Sequence, residues 1–421
     1  MPSITVHYAG GTLLNWQNSI KGSQPLARHA LSYRSFQIYI AGKFFGLHAL
    51  WMQRMTIGWI AWDMTNSASF VGTVSFINFM PTLVTGPFFG VLVDRVRVHM
   101  AAVTTQSLML VFTGLLLLCV QLDLLGKVGL ITLSLLLGIV ASAHHPIRMS
   151  LAPRLVDKAA IGTVISTVAI LFNLARMTGP VLGGWLITRW GITGSLLCQI
   201  LFYIPFIAAL AVLRPRQTIA PAAEREPFID AMRTGMRHVA KVRLIANALI
   251  MTGIVAFVVR GVLEVLPVIA DGVFTKGPVG LGLLLSSAGF GALLAGIAKT
   301  LIPAQQAGHI PRLTFFSSSI GVALIPVLGL TTSWNLTMFL ISCLAFCTTM
   351  TAITLQTAVQ MDLADDLRGR IMSLWTMTAM GAAAAGAMTL GFMFDWIGFA
   401  ATLKISGAVG LVSLLRVLSK I

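Results

Sequence analysis

Five cations and acids stand well inside apolar stretches, where a charge is costly and is kept for a partner or a function: Lys43, Arg54, Arg176, Arg260 and Glu264. Arg54 lies in the stretch 36–62, and Arg260 and Glu264 lie in the stretch 244–269. Arg260 and Glu264 are four residues apart, so they share one face of a helix. A buried carboxylate such as Glu264 can lose and regain a proton, which a proton-linked carrier needs. It can equally form a fixed ion pair that holds its helix.

A second group of polar side chains in apolar stretches could bind a solute or relay protons. His48 and Gln53 belong to the first apolar stretch, and His144 lies at the end of the fourth. Histidine titrates near neutral pH, so His48 and His144 are candidates for a pathway of solute or protons. The alternative for His144 is that it forms, with His145, a polar pair near the membrane surface. The alternative for His48, as for Lys43 and Arg176, is a contact between helices or a side chain that extends toward the membrane surface.

The composition predicts the elements that position these residues. Hydrophobic residues make up 57% of the 421 positions, charged residues make up 10%, and the mean hydropathy is +0.88. Soluble domains are far more polar. Between Phe36 and Leu418 we find 12 apolar stretches, each of about 20 residues, the length that crosses a bilayer core. The sequence therefore predicts an all-α polytopic membrane protein with 12 transmembrane helices in two six-helix bundles.

One long polar stretch divides the chain into two halves. We expect a cytoplasmic tail at 1–35, a first bundle at 36–213 and a second bundle at 244–421. Residues 214–243 contain three prolines and then a basic run of helical periodicity, which predicts a cytoplasmic linker with an interfacial helix. The halves share a faint repeat at a constant offset of 207, in which Gly179, Gly184 and Gly191 recur as Gly386, Gly391 and Gly398.

The net charge of +16 comes mostly from Lys and Arg residues between the apolar stretches. Of these basic residues, 21 fall in alternate loops on one side and 3 fall on the other. Cytoplasmic loops of membrane proteins collect Lys and Arg. The distribution predicts a multi-pass membrane protein with both termini in the cytoplasm. It explains the basic charge without a nucleic-acid partner.

Sequence features of other protein classes are missing. The sequence has no Gly-x4-Gly-Lys-Ser/Thr loop for ATP, no serine nucleophile motif and no metal-spaced histidine set, and its four cysteines are scattered. Those motifs would be needed for an ATP-driven pump, a serine hydrolase or a metal site. We therefore predict a protein that is not an enzyme and that uses neither a metal nor another cofactor.

Several stretches resemble the major facilitator superfamily of transporters. Its signature between helices 2 and 3 is Gly-x-Leu-x-Asp-Arg-x-Gly-Arg-Lys, and the matching residues here are Gly90, Leu92, Asp94 and Arg95, whereas Arg97, Val98 and His99 depart from it. Four further stretches are similar to the branch that contains the enterobactin exporter and macrolide-efflux proteins: WMQRM at 51–55, PIRMSLAPRLV at 146–156, FNLARMTGPVLGG at 172–184 and LRGRIMSLW at 367–375.

The resemblance implies two conformational devices. In the family, the acid at the position of Asp94 closes the cytoplasmic side against the positive N-terminal end of helix 11. This assigns a latch to Gly90, Asp94, Arg95, Arg368 and Arg370. The second device resembles the glycine–proline motif of antiporters and consists of Gly179, Pro180, Gly183 and Gly184. Small residues at these positions also permit close helix packing, whatever the direction of transport.

The resemblance also implies a function. We expect a monomer in the lipid bilayer that exports a small hydrophobic compound, such as a drug, siderophore or other metabolite, by alternating access, with the proton as coupling ion. Because helices 1 and 7 line the cavity in this family, Arg54, Arg260 and Glu264 would converge there, with Gln53, His48 and His144 as further pathway residues. Two alternatives remain, a lipid or lysolipid flippase of the same fold and a transport-inactive membrane scaffold or sensor.

The charge distribution generates a prediction about topology. Reporter fusions after Arg97, Arg225 and Ile421 should all report the cytoplasm, because the basic residues collect on that side of the membrane. Paired fusions of alkaline phosphatase and green fluorescent protein would measure this. A periplasmic signal at any of the three sites would overturn the layout.

Overall fold

A computed structural model of the chain describes residues 29–85, 89, 96–213, 228–302, 308–363 and 365–419. The described part is helical and contains no strand. We call the end that carries Asp63 and Gly277 the far end, since it lies opposite the end at which the described chain begins and finishes.

The first half of the chain forms six helices. They are α1 (Arg34–Asp63), α2 (Ala68–Val84), α3 (Val98–Gln121), α4 (Lys127–Leu151), and α5 and α6, which together form the helical segment Ile161–Val212. Non-helical backbone angles at Trp190 and Gly191 divide that segment into α5 before them and α6 after them.

The second half repeats this pattern after an amphipathic helix. The amphipathic helix is α7 (Phe228–Lys241), and the six that follow are α8 (Arg243–Glu264), α9 (Gly277–Leu301), α10 (Arg312–Leu328), α11 (Trp334–Met361), α12 (Asp365–Ile397) and α13 (Phe399–Leu418). Helix α7 lies within the predicted linker, and its Gly235 is close to Leu374 of α12.

The lengths and compositions of these helices suit a bilayer. Eight helical stretches of the described chain are long and apolar enough to cross a membrane, and the one of 55 residues contains both α5 and α6. Two shorter apolar helices, α2 and α10, complete the pattern together with α1, which has 30 residues. Large apolar side chains such as Phe316 point outward with 66% of their surface exposed. The predicted fold class is confirmed.

The two bundles contact each other along two helix pairs, α2 with α12 and α5 with α9. At both contacts a glycine lets the backbones meet. A Cβ atom at Gly184 of α5 would overlap the backbone of Pro278 in α9, and one at Gly391 of α12 would overlap the backbone of Ala68 in α2. Gly184 and Gly391 are equivalent in the sequence repeat, so the repeat encodes the same contact twice.

The last pair of glycines in the sequence repeat lies in two tight turns. Gly191 and Gly398 have φ angles of +69° and +81°, a conformation that other L-residues adopt only with strain. Each stands immediately before the last helix of its bundle. The glycine at this position allows the chain to reverse direction within one or two residues, which sets α6 beside α5 and α13 beside α12.

The glycine contact between α5 and α9 can be tested. Gly184→Ala should lower the thermal unfolding temperature of the purified protein, because overpacking a tight contact costs about 1–3 kcal/mol. Gly296→Ala in α9 is the matched control, since a Cβ there meets no atom within 4 Å. The control should be neutral or slightly stabilising, since alanine favours helix more than glycine does. Equal melting of the two variants would contradict the role of Gly184.

Candidate functional site

Arg54 and Glu264 form an ion pair that joins the two bundles. The Nη2 atom of Arg54, in α1, donates to Oε2 of Glu264 at 3.1 Å and lies 3.4 Å from Oε1. Glu264 is the last residue of α8, so each partner comes from a different half of the chain. The side chains are 33% and 17% exposed, respectively, so small solutes and water can reach the pair.

A local change of helix type positions the second arginine. Residues Ala256–Arg260 form a π-helical turn within α8, the kind of widened turn that often occurs at functional sites. It places Nε of Arg260 at 4.0 Å from Oε1 of Glu264, which is an ion pair and not a hydrogen bond. The Nη2 atom of Arg260 contacts the sulfur of Met380 in α12 at 3.7 Å.

Two neighbouring helices complete the surroundings of the carboxylate. The hydroxyl of Ser75, in α2, donates to the backbone oxygen of Glu264 at 3.2 Å. Arg176, in α5, interacts electrostatically with Arg54, Arg260 and Glu264. The structure thus brings together three arginines and one carboxylate from three helices. We call Arg54, Arg176, Arg260 and Glu264 the central charge cluster.

Aromatic rings flank the central charge cluster. The guanidinium of Arg54 lies 4.9 Å from the ring centre of Phe79 and 5.3 Å from that of Trp51. Arg176 lies over the same Trp51 ring at 5.6 Å. Cations over ring faces are attracted by the ring quadrupole, so Trp51 and Phe79 help to hold the arginines in place. A solute in this region would meet both positive charge and aromatic surface.

The far end of the molecule is closed by a second carboxylate, Asp395 of α12. Its Oδ1 accepts from the N–H of Ala68 at 2.9 Å, and its Oδ2 accepts from the N–H of Ser69 at 2.9 Å and the hydroxyl of Ser67 at 2.8 Å. These donors belong to the first turn of α2, whose N–H groups have no partner within the helix. An acid of the second bundle therefore caps a helix of the first.

A third carboxylate ties the same end together. Asp271, in the second bundle, accepts from the indole N–H of Trp62 at the end of α1, at 2.9 Å. Its other oxygen accepts from the N–H of Gly277 at 3.1 Å, where α9 begins. Asp271, Asp395 and Glu264 thus each connect the second bundle to the first.

His48 and Gln53 lie away from the central charge cluster. Both ring nitrogens of His48 are within hydrogen-bond distance of neighbours, the backbone oxygen of Phe44 at 2.7 Å and the hydroxyl of Thr178 at 2.8 Å. Gln53 is 4% exposed, donates to Thr113 at 2.6 Å and accepts from the hydroxyl of Tyr203 at 3.2 Å. These contacts hold helices of the first bundle together, and a pathway role for the two residues stays a prediction.

His144 belongs to a separate polar group inside the first bundle. It lines a small cavity with Lys43, Gln106 and Arg148, and its Nδ1 is 3.1 Å from the hydroxyl of Thr105. Lys43 is 1% exposed and donates to the hydroxyl of Tyr39 at 2.6 Å. The group is rich in donors, because the Nε2 atom of Gln106 and the Nε atom of Arg148 are buried and find no acceptor in the described part of the chain.

The glycine–proline motif lies at the contact of α5 with two helices. Gly179 faces His48 and Trp51 of α1, and Gly183 faces Met52 and Met55 of the same helix. The next residue, Gly184, and the backbone oxygen of Pro180 meet α9. The motif therefore packs α5 between the bundles, as close packing by small residues predicts, and its association with antiport stays a prediction.

The predicted latch falls mostly outside the described residues. Gly90, Asp94 and Arg95 are not among the described residues, whereas Arg368 and Arg370 lie in the first turns of α12. Arg368 is exposed and Arg370 is half-buried near α7. The role of the latch remains a prediction from the family resemblance.

Sequence reasoning missed several residues that shape the site. Arg176 was expected to make a helix contact or to extend toward the membrane surface, and Asp271, Asp395, Ser75 and Trp51 were assigned no role. Their importance depends on partners more than 120 positions away in the chain. The one signal that could have found Asp395 is its position in the last turns of α12, next to the second copy of the glycine repeat.

Comparison with solved structures shows which proteins share the fold of this chain. Over 91% of this chain and 99% of the other, the fold matches the crystal structure of the nucleoside transporter NupG, with a TM-score of 0.71 and 11% identity. A bacterial homologue of the human lysosomal transporter Spinster matches over 94% and 96% of the two chains, with a TM-score of 0.66 and 15% identity. These are major facilitator transporters, and the present chain has their fold.

The family follows from the sequence itself. Residues 25–420 match the family of transmembrane secretion effectors, and the chain belongs to that family of major facilitator transporters. A curated relative, the staphyloferrin A transporter of Staphylococcus aureus, is 22% identical over 85% of this chain and 89% of its own. The expected superfamily is confirmed, and so is the expectation that the protein is a transporter and not an enzyme.

The cap that Asp395 provides for α2 can be tested directly. Asp395→Ala removes the acceptor of the Ala68 and Ser69 N–H groups, which for a helix cap costs about 1–2 kcal/mol. Hydrogen exchange at these two amides should accelerate about tenfold, the equivalent of 1.4 kcal/mol. Asp362→Ala, at the exposed end of α11, is the matched control and should leave both amides unchanged. Unchanged exchange in Asp395→Ala would contradict the cap.

Proposed function

We propose that this protein exports a small organic solute across the bacterial inner membrane by alternating access, and that Glu264 links the transport cycle to protons. The monomer would be the working unit, with both termini in the cytoplasm. The membership of the secretion effector family supports the outward direction. The relative that carries staphyloferrin A supports a siderophore or a similar metabolite as one class of solute.

One observation carries the proposal, the ion pair between Arg54 and Glu264. Its partners belong to α1 and α8, which are in different bundles and must separate when the far end opens. A carboxylate that is ionised holds the arginine at 3.1 Å, and a carboxylate that is protonated does not. The protonation state of Glu264 therefore affects how firmly the far end is closed, which is the physical requirement for coupling.

Accessibility supports the same mechanism. Arg54 and Arg260 are each 33% exposed, although Asp271 and Asp395 join the bundles at the far end. We infer that the exposed part faces a space that opens toward the end where the chain begins and finishes. In the proposed topology that end is cytoplasmic, so a solute from the cytoplasm would reach the central charge cluster in this state.

The role of Glu264 is testable by transport assays. A compound panel on an efflux-deficient strain would first identify a transported solute, and purified protein in proteoliposomes would then measure its flux. Glu264→Gln keeps the shape of the side chain and removes its titration. We expect solute exchange across the membrane to survive, while a pH gradient no longer changes the rate or extent of transport.

The matched control is Asp123→Asn, which neutralises an exposed acid in the loop after α3, at a positive φ angle that asparagine tolerates. It should behave as the wild type. If Glu264→Gln keeps the pH dependence of the wild type, Glu264 forms a structural ion pair, and His144 becomes the next residue to test.

A further inference from the structure

The central charge cluster is unbalanced in charge. Among the described residues it contains three guanidinium groups, on Arg54, Arg176 and Arg260, and one carboxylate, on Glu264. Glu264 is the single acid within ion-pair distance of these arginines in the part of the chain that the structure describes, and it pairs with both Arg54 and Arg260. Three positive charges and one negative charge leave the cluster with a net charge of +2. Positive charges that must pass through a closed state inside a membrane are costly without a partner.

The same cluster is unbalanced in hydrogen bonding. Arg176 makes no hydrogen bond within the described chain, and the Nη2 atom of Arg260 has only the weak acceptor sulfur of Met380, at 3.7 Å. The indole N–H of Trp51, whose ring lies beside Arg54 and Arg176, is buried and has no acceptor among the described residues. A buried donor of this kind is rarely left without an acceptor, whereas the partly exposed guanidinium groups can donate to water. Here a ligand would supply the missing acceptors.

We propose that the transported solute is a small soluble organic anion that carries at least two carboxylate groups on an apolar or aromatic body. Two carboxylates would balance the net charge of +2, and the planar guanidinium groups of Arg176 and Arg260 suit carboxylates because they donate two parallel hydrogen bonds. This inference rests on the proposed transport function and narrows its solute class.

The apolar part of the solute has a surface to contact. Trp51 of α1 and Phe79 of α2 lie on either side of Arg54, and Phe172 meets the Trp51 ring edge to face, with ring centres 5.5 Å apart. Arg148 lies 5.2 Å from the centre of the Phe172 ring.

Glu264 is the internal competitor of this anion. The charged groups that face it are Arg54 from α1, Arg260 from its own helix and, at longer range, Arg176 from α5, while α2 and α12 present Ser75 and Met380. An anion that binds Arg54 displaces Glu264 from its closest arginine. The carboxylate then binds a proton more readily, so the anion and the proton bind together.

The experiment uses the purified full-length protein in lipid nanodiscs. The probes are the trianions trimesate and citrate, the neutral trimethyl ester of trimesate, and lysophosphatidic acid as a lipid with an anionic headgroup. Calorimetry measures affinity and the protons taken up on binding. We expect the trianions to bind at least about tenfold more tightly than the ester. The affinity for trimesate should rise as the pH is lowered from mildly alkaline to neutral, a range in which all of its carboxylates stay ionised.

Variants assign the binding to the cluster. Arg176→Gln should weaken trianion binding about tenfold or more. Arg176→Lys should restore only part of it, because the ammonium group keeps the charge but not the two parallel hydrogen bonds of a guanidinium. Arg416→Gln, at the exposed end of α13, removes the same charge elsewhere and should have no effect. Glu264→Gln should bind the trianions more tightly than the wild type and should take up no proton.

Several outcomes would overturn the inference. If the ester and trimesate bind equally well, the site does not select for negative charge. If lysophosphatidic acid binds tightly and the trianions do not bind, the ligand is a lipid headgroup instead. Weaker trianion binding in Glu264→Gln would mean that Glu264 is a ligand and not a competitor.

Two further outcomes separate this inference from the proposed function. If the trianions do not bind while another compound shows Glu264-dependent flux, the solute class is wrong and the proposed function stands. If the trianions bind but no compound shows such flux, the transport proposal is wrong and the site stands.

Discussion

The structure depends on three carboxylates of the second bundle that bind the first bundle at or near the far end. Glu264 binds Arg54, Asp271 binds Trp62, and Asp395 caps α2. Asp395 is exposed and the pair of Arg54 and Glu264 is partly exposed, so solvent weakens each of these contacts to about 1 kcal/mol. Contacts of this size hold the two bundles together without locking them. The proposed mechanism requires such a balance, because a ligand or a proton must be able to change it.

The three contacts differ in what can change them. Asp395 accepts from three donors and Asp271 from two, so their carboxylates are satisfied by neutral groups that no ligand needs to replace. Glu264 is held by arginine side chains that are partly exposed to solvent. A solute or a proton can reach it directly. The geometry thus separates two fixed contacts, which define the closed state, from one contact that is able to respond.

The sequence carried enough information for the fold but only part of the site. Apolar stretches of membrane length and the glycine repeat predicted the helices, because both are local patterns. Arg54, Arg260 and Glu264 stood out because a charge inside an apolar stretch needs a partner. The roles of Arg176 and Asp395 did not stand out. They depend on how α5 and α12 are rotated about their axes and on partners in distant helices, which hydropathy and spacing do not define.

The sign of the linkage between anion and proton determines which gradient could drive export. If Glu264 binds a proton when the solute takes Arg54, a trianion would leave with one proton and carry two net negative charges outward. In a cell with a negative interior, this is favoured by about 2.3 kcal/mol per charge for each 100 mV. The proton moving outward opposes it by only about 1.4 kcal/mol for each pH unit. An exporter with this cluster would therefore be driven mainly by the membrane potential, and Glu264 would serve to neutralise Arg54 while the empty carrier returns.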